Sequence, residues 1–320
     1  MDRRQMLSLI AAVVVALGGL GLVAVLVLVP RGDPPAAPPE PAPPPTTTEA
    51  PRQQGVVVVK IDNERPARPQ TGLAAADVVY VEPIEGGATR LVAVYSAPPD
   101  VVGPVRSVRE SDVDLLAQYG QPVLAFSGAA PELRDLVEQA RLVPATELET
   151  PKAFFRDRGR AKPHNLYVRP ARLPEPPPTE VEQVLRFGPA PAGGEPVTEH
   201  VVRYPSATYT FRWLSEPGRW SVALDGRPME STEAGRIAAA TVVVQHVTQR
   251  PGLVAEDAAG APSPVVETVG EGPAEILRDG ARFAATWFRP SATEPTRFTT
   301  ADGTPLPLAE GPVWVLLVPR

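Results

Sequence analysis

Two arginines, Arg106 and Arg109, stand in the run GPVRSVRESDVDLL, between a Gly-Pro turn and the first turn of a helix. Helix N-termini carry the positive pole of the macrodipole, so basic side chains ordinarily favour the other end. An anion resolves the conflict, because free N–H groups and guanidinium forks together suit a carboxylate or a phosphate. Other polar residues of the same half of the chain gather at strand ends and loops. Asp62 and Asn63 close the run VVVVKIDN, Arg65 and Arg68 follow it, and Glu85 and Arg90 bracket Gly86-Gly87. Arg156 lies in FFRDRGR, and His164 and Asn165 follow Pro163. Asp62, Asn63, Arg65, Arg68, Arg90, Arg106, Arg109, Arg156, His164 and Asn165 therefore form the candidate ligand-binding set.

The anion has two possible sources. Asp62, Glu82 or Glu85 could neutralise Arg106 and Arg109 internally, as structural ion pairs do. Alternatively the ligand supplies it, since the arginines outnumber the nearby strand-end carboxylates. His164 could act as a general acid or base near neutral pH, with Glu85 or Asp62 as its complement, or could merely hold a loop by a hydrogen bond. Glu85, His164 and Asp62 are thus the candidate catalytic residues. No metal site is expected: His200 and His246 are distant in sequence, cysteine is absent, and no His-x-His or His-Glu-x-x-His spacing occurs. FSGAA lacks the first glycine of a nucleophile elbow, IEGGATR is too common a pattern to indicate phosphate, and no cofactor is expected.

Strands and helices alternate through this region. Val56–Asn63, Val78–Glu82 and Thr89–Ser96 read as strands, the last two joined at the glycine pair, and PVLAFSG as another. Ser111–Tyr119 and APELRDLVEQARL have helical spacing. Beyond residue 195 the texture changes to short alternating segments with Asp-Gly steps at Asp225, Asp279 and Asp302, the signature of hairpins. ATVVVQHV reads as a central strand of that region. Its tryptophans, Trp213, Trp220, Trp287 and Trp314, suit core packing, or a sugar platform if two lie exposed together. The expected fold class is α+β: an N-terminal α/β layered domain, then a smaller mainly antiparallel β domain, preceded by a single transmembrane helix.

Residues 7–29 are apolar apart from Ser8, long enough to span a bilayer core of roughly 30 Å. They read as a signal anchor, with a cleaved signal peptide as the alternative. Arg3 and Arg4 precede the span, so residues 1–6 are expected in the cytoplasm and the remainder outside, a single-pass plasma-membrane protein. Residues 30–54 form a proline-rich stalk, whose threonine cluster could carry sugars; a ligand for a proline-recognising domain is the other reading. The expected domains are 55–175 and 197–320, with 176–196 between them. A net charge of −6 argues against nucleic acid as a partner.

Four segments together resemble one family. KIDNERPARPQTGLAAADVVYVEPIEGGATRLVAVY, GPVRSVRESDVDLL and KPHNLY are similar, in order and spacing, to the first domain of the YerB-like family of bacterial exported proteins and lipoproteins, domain of unknown function DUF3048. TWFRPSATEPTRFTTADGTPLPLAEGPVWVLLVP is similar to its second domain. The resemblance implies an exported protein and names no activity. This chain departs from the family in two ways: no cysteine is present for lipid attachment, so the helix would replace the lipid, and Val81 stands where relatives often have glutamate after the tyrosine of VVYVE, leaving any acid role to Glu82. The function expected is binding of an anionic ligand or cell-envelope component, an anionic cell-wall polymer or a small anion, through the arginine-rich pocket. The alternative is a cell-envelope hydrolase or transferase acting on an anionic glycan or phosphodiester.

Overall fold

The computed structural model describes residues 55–179, 184–256 and 262–320. Its first half contains β1 (Val57–Ile61), β2 (Val78–Pro83), β3 (Thr89–Tyr95), α1 (Glu110–Ala117), β4 (Val123–Ala125), α2 (Arg134–Gln139), β5 (Val143–Ala145), β6 (Phe154–Arg156) and β7 (Leu166–Val168). The second half adds β8 (Glu195–Pro196), β9 (Glu199–Tyr204), β10 (Ala207–Leu214), β11 (Arg219–Leu224), β12 (Arg227–Pro228), β13 (Glu230–Ser231), β14 (Gly235–Arg236) and β15 (Ala238–Ala239). It ends with β16 (Thr241–Glu256), β17 (Pro262–Glu267), β18 (Gly270–Arg278), β19 (Ala281–Arg289), β20 (Arg297–Thr299) and β21 (Val313–Pro319).

Period-two burial explains how these strands stack. In β1, Val57, Val59 and Ile61 join one core cluster, while Val56 and Val58 beside them join another. β2 and β3 divide in the same way, with Val79, Val81, Leu91 and Ala93 on the first side and Val78, Tyr80, Val92 and Val94 on the second. A strand buried on both faces reads as a continuous apolar run, as VVVVKI does. The first side packs against the five-stranded sheet β12-β11-β10-β9 with β15, through Tyr209, Phe211, Trp220 and Val222. The second side carries the helices, through Leu115, Leu116 and Tyr119 of the α1 region and Val137 of α2.

The central sheet runs β20-β19-β18-β16-β21-β2-β3-β1-β4-β5, with β17 beside β16 and β8 beside β19. The last strand, β21, lies between β2 and β16 and is parallel to both. Val313 pairs with Val78 on one side and Thr241 on the other, so residues from both halves of the chain share one hydrogen-bonded layer.

The expected α+β arrangement, with an N-terminal α/β layered domain behind a transmembrane helix, is corrected by this architecture. Strands dominate, and the α-helices among the described residues are short, α1 spanning 8 residues and α2 spanning 6. Periodicity identifies elements but not their partners, and it overvalued APELRDLVEQARL, part of which is a 3-10 turn at Pro131–Leu133. No helix among the described residues is long and apolar enough to cross a membrane, and the span expected over residues 7–29 lies outside them. Several local readings coincide with elements observed: the strands β1 to β3, the helix α1, and the hairpins at Asp225 (β11–β12) and Asp279 (β18–β19). Asp225 and Asp279, each followed by a glycine, have positive φ of 52° and 51°, as a two-residue hairpin turn requires.

Trp314 is buried against Tyr209 and Phe211, joining β21 to the second sheet, while Trp213 packs on the buried Trp220. Trp314→Ala should therefore cost about 3–5 kcal/mol, as large core truncations do. Urea unfolding followed by near- and far-ultraviolet circular dichroism should show one coincident transition at lower urea; separate transitions for the two probes would contradict a single shared sheet.

Candidate functional site

The site forms where β1 ends. Asp62 N–H donates to the Pro104 carbonyl at 2.9 Å, and Arg106 N–H donates to the Lys60 carbonyl at 2.9 Å, so the segment before α1 runs along the strand end. On the other side of that segment, Val105 N–H donates to the Leu166 carbonyl at 2.6 Å. β7 thereby brings His164 to the same place from far along the chain. Gly103 permits the close approach, since a Cβ there would meet the Tyr167 ring at 2.6 Å. At the β2–β3 hairpin, Gly86 and Gly87 have φ of 67° and 71°, and the register opposes Glu82 to Arg90.

Beneath the site lies a buried charge cluster. Lys60, 0 % exposed, places its Nζ against Glu82 and 2.7 Å from Asp112 Oδ1. Asp112 also accepts the Arg109 N–H at 2.6 Å, capping α1. Burial and the neighbouring Asp112 charge outweigh Lys60 and push the Glu82 carboxyl up to about 7. Two carboxylates thus share one ammonium, and Glu82 Oε1 has no hydrogen-bond partner. Glu110 and Ser111 hold the start of α1 from the far half of the chain: Glu110 accepts from Arg250 Nη2 at 2.8 Å and Leu253 N–H at 2.7 Å, and Ser111 Oγ accepts Val266 N–H at 3.1 Å.

The arginines before α1 have internal partners. Arg109 grips Glu85 with two bonds of 2.8 Å, and Ser263 Oγ donates to the same carboxylate. Burial pushes the Glu85 carboxyl up, but Arg109 brings it below its ordinary value. Arg106 donates to Glu64 Oε1 at 3.0 Å, while its Nε, 3.2 Å from Asp62 Oδ2, makes an ion pair without a hydrogen bond. Arg90 is different. It is 3 % exposed, its Nε has no acceptor, and its Nη2 stands 3.9 Å from Glu64 Oε1. Burial and the charges of Arg109 and Arg106 pull its guanidinium down to about 10, still protonated at neutral pH.

His164 Nδ1 is 2.8 Å from Asp62 Oδ2. A carboxylate oxygen only accepts, so Nδ1 carries the proton and a neutral ring leaves Nε2 as its basic atom. Nε2 faces Glu64 Oε2 at 4.0 Å. This is the orienter-and-base arrangement of acid–base catalysis, although no hydroxyl among the described residues is hydrogen-bonded to His164. Asp62, Glu64 and His164 also offer three potential ligand atoms within 4.8 Å of one another. Arg106 already bridges two of them, so a metal ion would have to displace a guanidinium.

The other sequence candidates sit elsewhere. Asn63 is buried and donates to Thr89 Oγ1 and Tyr209 OH at 2.9 and 2.7 Å, tying the loop to the second sheet. Arg68 donates to the Asn63 carbonyl and, with Arg65 and Arg227, lines a separate cavity of about 500 Å³. Arg156 pairs with Glu147 at 2.6 Å and with Asn165 Oδ1 at 3.1 Å at the surface. Glu64, Lys60 and Asp112 are absent from the sequence candidates. Glu64 lies inside the quoted DNER stretch, and a lysine inside an apolar strand signals a buried counter-charge, whereas nothing local marks Asp112.

Comparisons with known proteins agree on one family. Residues 43–181 match the protein of unknown function (DUF3048) N-terminal domain, and residues 200–315 match its C-terminal domain. A Bacillus subtilis (strain 168) protein named "Putative lipoprotein YerB" is 34% identical over 114 residues, which is 35% of this chain and 34% of that protein. The aligned stretch therefore spans about a third of that relative's length. The crystal structure of YerB protein from Bacillus subtilis has the same fold, with a TM-score of 0.70 at 20% identity over 83% of this chain and 91% of that one.

The raised Glu82 carboxyl has a measurable consequence. Between its ordinary value of 4.5 and about 7, the folded chain holds a proton that the unfolded chain releases. Its contribution is therefore full below that window, declines as pH rises through it, and is lost above it. Glu82→Gln should flatten the fall of the urea midpoint between pH 5 and 7.5; an unchanged slope would mean that Glu82 is already ionised at pH 5.

Proposed function

This chain belongs to the DUF3048 family, and we propose that it is an exported, membrane-associated protein that binds an anionic component of the cell envelope at the Arg90–Arg106–His164 site. The observation that carries the reading is Arg90: a guanidinium 3 % exposed, still charged, with an Nε that no acceptor reaches. Burying such a group without a partner is costly, and a ligand oxyanion would supply one. The name of its Bacillus subtilis relative, which speaks of a lipoprotein, supports an exported location. An extracytoplasmic position beside the wall follows from that location.

A second reading rests on the Asp62–His164 pair. With Nδ1 held at 2.8 Å and Nε2 basic, His164 could activate a water against a glycan or phosphodiester while the arginines stabilise developing negative charge. Glu85 takes no part in this reading, because Arg109 and Ser263 occupy its carboxylate.

The test incubates the full chain with isolated cell-wall sacculi, separates pellet from supernatant, and assays both. Binding predicts protein in the pellet, with Arg90→Gln and Arg106→Gln each weakening retention about tenfold or more, the usual cost of a lost charged hydrogen bond. Arg212→Gln, in an exposed pair with Glu199, should pellet as wild type does. Equal retention of all four proteins would remove the arginine site from the reading. Soluble fragments that vanish with His164→Asn would establish the hydrolytic alternative instead.

A further inference from the structure

Resting on the anion-binding reading above, we propose that the site takes a carboxylate, and that Glu64 is a displaceable internal carboxylate holding the ligand's position in the free protein. Two guanidinium groups from separate stretches of chain converge on this side chain, with the His164 ring beside it. Arg106 Nη2 lies 3.0 Å from Oε1, Arg90 Nη2 lies 3.9 Å from the same oxygen, and His164 Nε2 lies 4.0 Å from Oε2. Two guanidinium groups therefore address Oε1 from the protein side, as they would an oxygen of a bound carboxylate.

Glu64 fills this position incompletely. At 3.9 Å Arg90 is beyond hydrogen-bond distance, and its Nε stays unserved. A ligand carboxylate that came within hydrogen-bond distance of Arg90 Nη2 would serve this guanidinium better than Glu64 does. Glu64 is also the member of the group that can leave. Its side chain is 44% exposed, on the loop after β1, whereas those of Asp62 and Glu82 are buried among the sheet and α1. Glu64 is the solvent-facing partner of these pairs, so water can take over its contacts when it leaves.

The surrounding charges favour a carboxylate over a phosphate. Asp62 Oδ2 lies 3.2 Å from the Arg106 Nε and holds part of that guanidinium's charge, and Glu85 takes both forks of Arg109. The remaining positive charge suits one negative charge, and the second charge of a phosphate dianion would face Asp62.

Isothermal titration calorimetry of the full chain with N-acetylglycine, and separately with inorganic phosphate, tests the assignment. Glu64→Gln and Glu64→Ala should tighten N-acetylglycine binding by up to about fivefold, the equivalent of about 1 kcal/mol. Arg106→Gln added to Glu64→Ala should abolish the gain. N-acetylglycine binding that is equal or weaker in both Glu64 variants overturns the displacement by Glu64. Binding of N-acetylglycine by no variant, with sacculi still retained, overturns the carboxylate class while leaving the anion reading standing, as does tighter binding of phosphate. Loss of sacculus retention together with all titration heat removes both.

Discussion

An ammonium sealed from water has to be met by carboxylates, and Lys60 draws Glu82 from β2 and Asp112 from α1 to itself. Asp112 is at once the counter-charge of a strand residue and the cap of the helix, through the Arg109 N–H. The first turn of α1 is thereby fixed over the end of β1. Everything functional in this region inherits that placement, since Arg106 and Arg109 lead directly into the turn. Replacing such a cluster by apolar side chains is often no less stable, so its value lies in specifying where the helix begins. Glu110 and Ser111 strengthen the same point from β16 and β17, which binds the far half of the chain to the near one.

The polar site then follows from a simple pairing order. Arg109 takes Glu85, and Arg106 takes Asp62 and shares Glu64. Arg90, at the start of β3, is left with only a long contact. The orientation of His164 depends on the same arrangement, because Asp62 serves the histidine and Arg106 together. A change at Asp62 would therefore disturb His164, Arg106 and the loop at once, and its single-residue effect would not separate them.

Much of the local structure was legible in the residues. The β-branched run ending at Asp62, the glycine pair before Arg90 and the Asp-Gly steps each announce an element that the structure contains. The global arrangement was not legible, because period-two alternation fixes which face a residue occupies but not which strand lies beside it. Val313–Pro319 reads as a strand in any arrangement; only long-range pairing sets it between β2 and β16. The same holds for the site. Asp62, Arg106 and His164 stand out by type and by their positions at strand ends, yet the partners of Lys60 lie 22 and 52 residues away, beyond any local pattern. Glu64 was hidden by its ordinary setting, an exposed acid among arginines.

The position of β21 bears on how this chain is made. Synthesis runs from the N-terminus, so β2 and β16 both exist before the strand that fills the gap between them. Until β21 is in place, each presents an open edge of unpaired N–H and carbonyl groups to the other. The sheet closes only when β21 has docked between them. A chain without β21 would lack the seam and leave both edges unpaired. The central layer is thus stitched from two edges that cannot meet each other directly, and the strand between them decides whether the two halves share one sheet.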